Sequence, residues 1–220
     1  MTVVLDIWRV PRSAVPRALW RMARDPSTLS GLPGLQFHKS LGTGAGQRFT
    51  AADADLRQWA LLTCWAGADA AADPVRRSWN ARAEQHSRIV MGTIASHGQW
   101  SGREPFTSDA AFAEHPGPIA AITRARVRTR QWLAFQRAVP PVAAILHDQE
   151  GLLYRIGIGE APVGLQGTFS VWRDAITLRD FAYGRPEHRE VIAQTRATGW
   201  YAEELFARFA VLDVSGDPLW

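Results

Sequence analysis

Gln166-Gly167-Thr168-Phe169-Ser170-Val171-Trp172 reads as a β-strand, and a counterpart lies 107 residues earlier, Trp59-Ala60-Leu61-Leu62-Thr63-Cys64-Trp65. Two further pairs flank this match. Gly34-Leu35-Gln36-Phe37 resembles Gly151-Leu152-Leu153-Tyr154 at an offset of 117. Ala83-Glu84 resembles Ala202-Glu203 at an offset of 119, each pair preceding a strand, Arg88-Ile89-Val90 and Phe209-Ala210-Val211. Each match is weak alone, but three in one order indicate an internal duplication.

Working outward, each copy reads as β-α-β-β-α-β. In the first, Val3–Val10 alternates as a strand, and Pro16–Ala23 is a short helix ended by Asp25-Pro26. Leu35–Leu41 and Trp59–Trp65 are strands joined by a long hairpin. Asp73-Pro74 opens a helix running to about Gln85, and Arg88–Ala95 is the last strand. In the second copy, Ile119–Val127 is a strand and Gln131–Leu146 a helix bent at Pro140-Pro141. Leu152–Ile158 and Leu165–Trp172 are strands. Thr177–Ala197 is helical in parts, Trp200–Phe206 a further helical turn, and Phe209–Val214 the final strand. Two such sheets can bury their apolar faces against each other. The expected fold is therefore α+β, tandem ferredoxin-like repeats forming a fused dimeric α/β-barrel. Residues 1–99 make the first repeat, 100–117 a linker, and 118–220 the second repeat, which carries the candidate site.

Composition narrows the function classes. Of 220 residues, 46% are hydrophobic, enough for a packed core and too many for a disordered chain. No apolar run approaches the ~18 residues of a membrane-spanning helix, and Met1-Thr2-Val3-Val4-Leu5-Asp6 reads as a first strand rather than a signal peptide. Cys64 is the only cysteine, so no intrachain disulfide or thiolate zinc cluster can form, and a cytoplasmic location is expected. The formal charge is +4, and every basic residue but Lys39 is an arginine. The arginines are scattered rather than clustered with exposed aromatics, which argues against nucleic-acid binding.

Among candidate site residues His188 stands first. After Pro186-Glu187 it opens a helical turn in which His188, Val191, Ile192 and Thr195 share one face. A helix N-terminus favours the neutral imidazole that iron requires. The alternative is a hydrogen-bonded core histidine or an exposed one. His38 falls on the more polar face of its strand, His86 and His147 near helix ends, His97 and His115 in or near the linker; no pair has metal-ligand spacing. Cys64, mid-strand with no adjacent base, reads as inert. Gly42-Thr43-Gly44-Ala45-Gly46 leads into another strand, so it reads as hairpin turn residues or a pocket flap, not a phosphate loop. Arg124, Arg126, Arg128 and Arg130 alternate; they suit haem propionates or a carboxylate substrate, or form a solvated strand end. One of Glu203-Glu204 is expected to pair with Arg208.

Several motifs resemble the spheroidene monooxygenase family. They are Trp100-Ser101-Gly102-Arg103-Glu104-Pro105-Phe106, Gly157-Ile158-Gly159-Glu160-Ala161-Pro162, Gln166–Trp172, Phe181-Ala182-Tyr183 and Gly199-Trp200-Tyr201-Ala202-Glu203-Glu204-Leu205-Phe206-Ala207-Arg208-Phe209. The resemblance runs through nearly the whole chain. It implies a haem-containing oxygenase that uses O2 and external electrons from a ferredoxin-type donor to oxidise an apolar, carotenoid-like molecule. His188 follows the Phe-Ala-Tyr motif at about the family's spacing and would hold the iron of haem b. Trp172, Trp200, Phe206 and Ser170 would face the cofactor, with Tyr183 as a further wall and Arg196 acting on a propionate or on bound oxygen. His38 departs from the family pattern, where an aromatic residue is expected, which points to a smaller or more polar substrate. Two other readings stand beside this one: haem-dependent dehydration or rearrangement without O2, and a non-catalytic haem or small-lipid binder. The fused duplication removes the need for a dimer and leaves a homo-oligomer open.

Overall fold

Thr2–Arg9 (β1) sets the pattern of the fold in a computed structural model, which describes residues 1–46, 51–67, 73–128, 149–162, 166–184 and 201–220. Val3, Leu5 and Ile7 point into a barrel, while Val4, Asp6 and Trp8 point out beneath two helices; all six are buried. The remaining strands are β2 (Leu35–Gly44), β3 (Ala54–Trp65), β4 (Gln85–Gly98), β5 (Ile119–Val127), β6 (Leu152–Gly159), β7 (Gly167–Trp172) and β8 (Tyr201–Gly216). The helices are α1 (Val15–Leu29), α2 (Pro74–Asn80) and α3 (Ala175–Gly184). The strands close into one antiparallel barrel in the order β1-β3-β2-β6-β7-β5-β8-β4. This is an α+β fold dominated by antiparallel sheet.

The two halves have the same strand order, β4-β1-β3-β2 and β8-β5-β7-β6. Their registers match as well. Thr2 and Leu35 both lie opposite Trp65, and Ile119 and Leu152 both lie opposite Trp172. An irregularity follows Leu35 and recurs after Leu152. The offsets of 117 and 107 thus hold in the pairing. The third does not: Met91 lies opposite Val3 as Phe209 lies opposite Ala120, an offset of 118. On a strand one residue exchanges the faces, so the register overrides the sequence match.

Barrel interior residues form one core that includes Leu62, Ile89, Ile122, Phe169 and Phe209. The linker adds to it. Trp100 and Phe106 are buried, with Phe106 edge-on to Phe209 at 4.9 Å. The two seams between the halves differ. β4–β8 pairs from Ser87↔Gly216 to Gly98↔Leu205, whereas β2–β6 has only Gly42↔Gly159, Thr43↔Ile158 and Gly44↔Gly157. The glycine run is therefore neither hairpin turn nor flap through Gly44. A Cβ on Gly42 would lie 2.4 Å from the Ala161 carbonyl oxygen, so the backbones meet at this seam only because side chains are missing.

Other expectations also shift. α1 passes through Pro26 to Leu29 because buried Leu29 and the Asp25 anchor outweigh one lost helical hydrogen bond. α2 opens as expected, Asp73 accepting from the Val75 and Arg76 amides, but stops at Asn80. Glu84 N then donates to Arg9 O at 2.7 Å, drawing the chain into β4. Tyr201–Phe206 is strand and not a helical turn. His86 lies in β4, its Nε2 2.8 Å from Asp6 Oδ1, and not at a helix end. The Gln131–Leu146 helix and His147 lie outside the described residues. No helix among the described residues is long and apolar enough to cross a membrane.

Candidate functional site

The outer faces of the two half-sheets are built differently. On the first, Trp8, Trp59, Leu61 and Trp79 form a closed core with Met22 and Leu29 of α1. Trp8 stacks on Trp79 at 5.2 Å and donates through Nε1 to Asn80 Oδ1 at 2.6 Å. Arg21 and Asp25 pair at 3.1 Å within this layer, and Trp79 Nε1 donates to the same Asp25 oxygen at 2.8 Å.

On the second half-sheet the equivalent positions are small or polar. By register, Ala121 stands for Val4, Ala125 for Trp8, Gln166 for Trp59 and Thr168 for Leu61. Thr123 is exposed beside them. The Gln166 amide oxygen is buried with no hydrogen-bond partner among the described residues, an uncommon state for a polar atom. Trp172 keeps the role of Trp65, but its face is occupied by Phe181 of α3, stacked at 5.0 Å. Trp172 Nε1 donates to Ser170 Oγ at 3.0 Å, which fixes the indole.

A polar cluster around the buried Arg124 caps one end of the barrel. Arg124 takes the register position of Ile7 and is 3% exposed. Its guanidinium donates to Glu203 Oε1 at 2.5 Å and to Glu160 Oε1 at 2.7 Å, over the Trp100 ring. Glu160 also accepts from Lys39 Nζ at 2.6 Å and Trp100 Nε1 at 2.9 Å. Glu203 accepts from the Ser101 and Gly102 amides at 3.0 and 2.7 Å. Those amides converge because Ser101 (φ 55°) and Gly102 (φ 69°) both adopt left-handed backbone, a nest for a carboxylate. Burial pushes both carboxyls up, but hydrogen bonds and the Lys39 and Arg124 charges outweigh it for Glu160. For Glu203 the two amides and Arg124 do the same, so both pKa values fall below the ordinary range. An open cavity of about 540 Å³ adjoins the cluster, lined in part by Gly98, Arg126 and Glu204.

The sequence-derived residues fall into three groups. Ser170 and Trp172 lie together on the outer face of β7, and both are buried. Phe206 shares that side of the sheet from β8 but is 42% exposed. His188, Arg196 and Trp200 lie outside the described residues, and only the backbone of Tyr183, near the end of α3, is described. Arg124 meets protein carboxylates; Arg126 and Arg128 are exposed, Arg128 Nε donating to Tyr201 O at 3.1 Å, and Arg130 lies outside the described residues. Glu203 pairs with Arg124 and not Arg208, which as an even-numbered strand residue faces the other way. His38 is half-buried beside Ser30 of the α1 turn; burial, Lys39 and Arg103 lower its pKa. Cys64 is enclosed in the barrel and burial pushes its thiol up to about 12, in keeping with an inert residue.

No family model matches the chain. Individual relatives do. It is 33% identical over 218 residues to spheroidene monooxygenase of Rhodobacter capsulatus, covering 94% of this chain and 90% of the relative. It is 32% identical to spheroidene monooxygenase of Cereibacter sphaeroides, covering 98% and 68%. The chain belongs to the spheroidene monooxygenase family. Trp100-Ser101-Gly102, Glu160 and Glu203 come from three separate stretches of sequence and meet in the barrel-end cluster around Arg124. Among solved structures, the family member resembles an aldoxime dehydratase with a TM-score of 0.53 at 13% identity, covering 96% of this chain and 81% of the other. A second aldoxime dehydratase, in complex with butyraldoxime, gives 0.54 at 15% identity, covering 96% and 79%. These likenesses are of fold.

Sequence reasoning missed the Lys39–Glu160–Arg124–Glu203 cluster, whose members are remote in sequence. The loss of bulk on the second outer face was visible: the same repeat match that aligns Trp65 with Trp172 sets Trp59 against Gln166 and Leu61 against Thr168.

Proposed function

We propose that this chain is a haem-dependent monooxygenase that oxidises an apolar, carotenoid-like small molecule, using O2 and electrons from a ferredoxin-type donor in the cytoplasm. The observation that carries the cofactor is the exchange of Val4, Trp8, Trp59 and Leu61 in one half for Ala121, Ala125, Gln166 and Thr168 in the other. All four side chains give way to smaller ones on one sheet face, which makes room for a planar group. The unpartnered oxygen of Gln166, just ahead of β7, fits a site that is completed by something besides the described residues. Family membership supports the oxygenase chemistry and the carotenoid-like substrate.

In this reading His188 would ligate the iron of haem b, which when bound would supply the means to activate O2 with two external electrons. The protein's own part is placement and exclusion of water. Trp172, braced by Phe181 and Ser170, gives a rigid aromatic wall; Phe206, Trp200 and Tyr183 would extend the apolar lining, and Arg196 would offer a cation for a propionate. One oxygen atom enters the substrate and the other leaves as water, with two protons and two electrons consumed. The matched strand order and register support two ferredoxin-like repeats, 1–99 and 118–220, fused into one barrel across the 100–117 linker.

Oxygen uptake by the haem-loaded enzyme with a reductase, ferredoxin and an acyclic carotenoid tests the reaction. One O2 consumed per carotenoid oxidised is expected, and His188→Ala is expected to weaken or shift the Soret band and abolish uptake. Turnover without O2 would move the chain to dehydration or rearrangement chemistry, and an unchanged spectrum in His188→Ala would remove the ligand assignment.

A further inference from the structure

Trp20 is 56% exposed at the centre of the outward face of α1, where a large indole has no packing reason to be. The helix has a well-defined buried side in Ala18, Arg21, Met22, Asp25 and Leu29. At i−3 and i+4 from Trp20 stand Arg17 and Arg24, whose guanidinium carbons lie 5.9 and 5.8 Å from its ring. The basic character extends beyond α1. Arg12 precedes it, Arg77 and Arg82 stand on and just after α2, and Arg17 and Arg82 border one groove between the helices. All five arginines are exposed and none has a carboxylate partner among the described residues. Among the described residues of this layer the carboxylates are committed: Asp25 and Asp73 are buried, and Glu84 pairs with Arg57.

We propose that the α1–α2 face is a docking surface for an anionic phospholipid membrane, on which the enzyme rests without crossing it. Charge complementarity selects an anionic partner. The single exposed indole selects a lipid interface, because tryptophan settles at headgroup depth while flanking arginines meet phosphate. A single-stranded nucleic acid would call for a track of stacking rings, and among the described residues of α1 and α2 Trp20 is the one exposed aromatic. The α1–α2 face covers the first half-sheet, away from the second outer face, so the inference does not rest on the haem reading. If that reading holds, the surface keeps the enzyme where a lipid-soluble substrate is concentrated.

Sedimentation of the full chain with phosphatidylcholine vesicles, with and without about one-third phosphatidylglycerol, tests this. Binding is expected to the anionic vesicles alone and to weaken as salt is raised. Since each basic residue near an anionic surface changes partitioning roughly fivefold, Arg17→Glu/Arg24→Glu is expected to lower it by at least about tenfold. The charge-neutral Trp20→Ala is expected to lower it severalfold, with both variants unfolding at the wild-type temperature. Equal binding to neutral vesicles, no binding to either, or variants that bind as the wild type does would overturn the proposal. So would a preference for an oligonucleotide over vesicles that both variants lose.

Discussion

At the scale of single residues, the barrel-end cluster makes the sharpest statements. Arg124 is buried with two carboxylates, so Glu203→Gln leaves a poorly compensated buried cation and two nest amides facing a neutral group. The expected loss is roughly 3 kcal/mol, read as a lowered denaturant midpoint with an unchanged slope. The depressed pKa values of Glu160 and Glu203 also fix a sign. Over the acid range the unfolded chain binds more protons than the folded one, so the stability these groups give is present above the unfolded carboxylate pKa. It is lost as pH falls through the folded values. Glu203→Gln is expected to flatten that acid limb; a limb as steep as the wild type's would remove Glu203 from it. The residues of this cluster were not legible in advance, because a salt bridge between Arg124 and Glu203 depends on register and not on spacing. Trp200–Phe206 reads as a helical turn because Ala202, Glu203, Glu204 and Leu205 are good helix formers; the burial of Leu205, Ala207, Phe209 and Val211 at every second position shows that tertiary packing won.

At the scale of elements, the β2–β6 seam is the narrow join between the halves. Gly42→Ala would press a methyl against the Ala161 carbonyl and open it. A loss of about 1–3 kcal/mol is expected in thermal unfolding, while alanine at open Gly67 is expected to change little. Trp8→Ala, in the closed layer under α1 and α2, is expected to cost about 3–5 kcal/mol, measured by denaturant unfolding. The strands were largely readable from alternation, and β5 runs from Ile119 to Val127 as read. The errors cluster where long-range pairing lengthens or redirects an element: β2 extended to meet β6, α2 cut short by the pairing of Glu84 with β1, and β8 begun at Tyr201. α1 continued through Pro26 because its buried anchors are set by α2 and β3, which the local sequence does not show.

At the scale of the molecule, one barrel carries two unequal faces. The matching strand order of the two halves was foreshadowed by three sequence matches in one order, and the register then moved the last of them. The first face spends its tryptophans on packing, and the second gives them up around Trp172 and Ser170. In the proposed function this difference serves to hold a planar cofactor. A haemin titration followed at the Soret band, on the wild type and on Ala125→Trp, addresses it most directly. Returning the first half's indole to the second half is expected to leave far-ultraviolet dichroism intact and to abolish saturable haem binding, while the wild type binds one equivalent. Equal haem affinity in the two proteins, or none in the wild type, would contradict it.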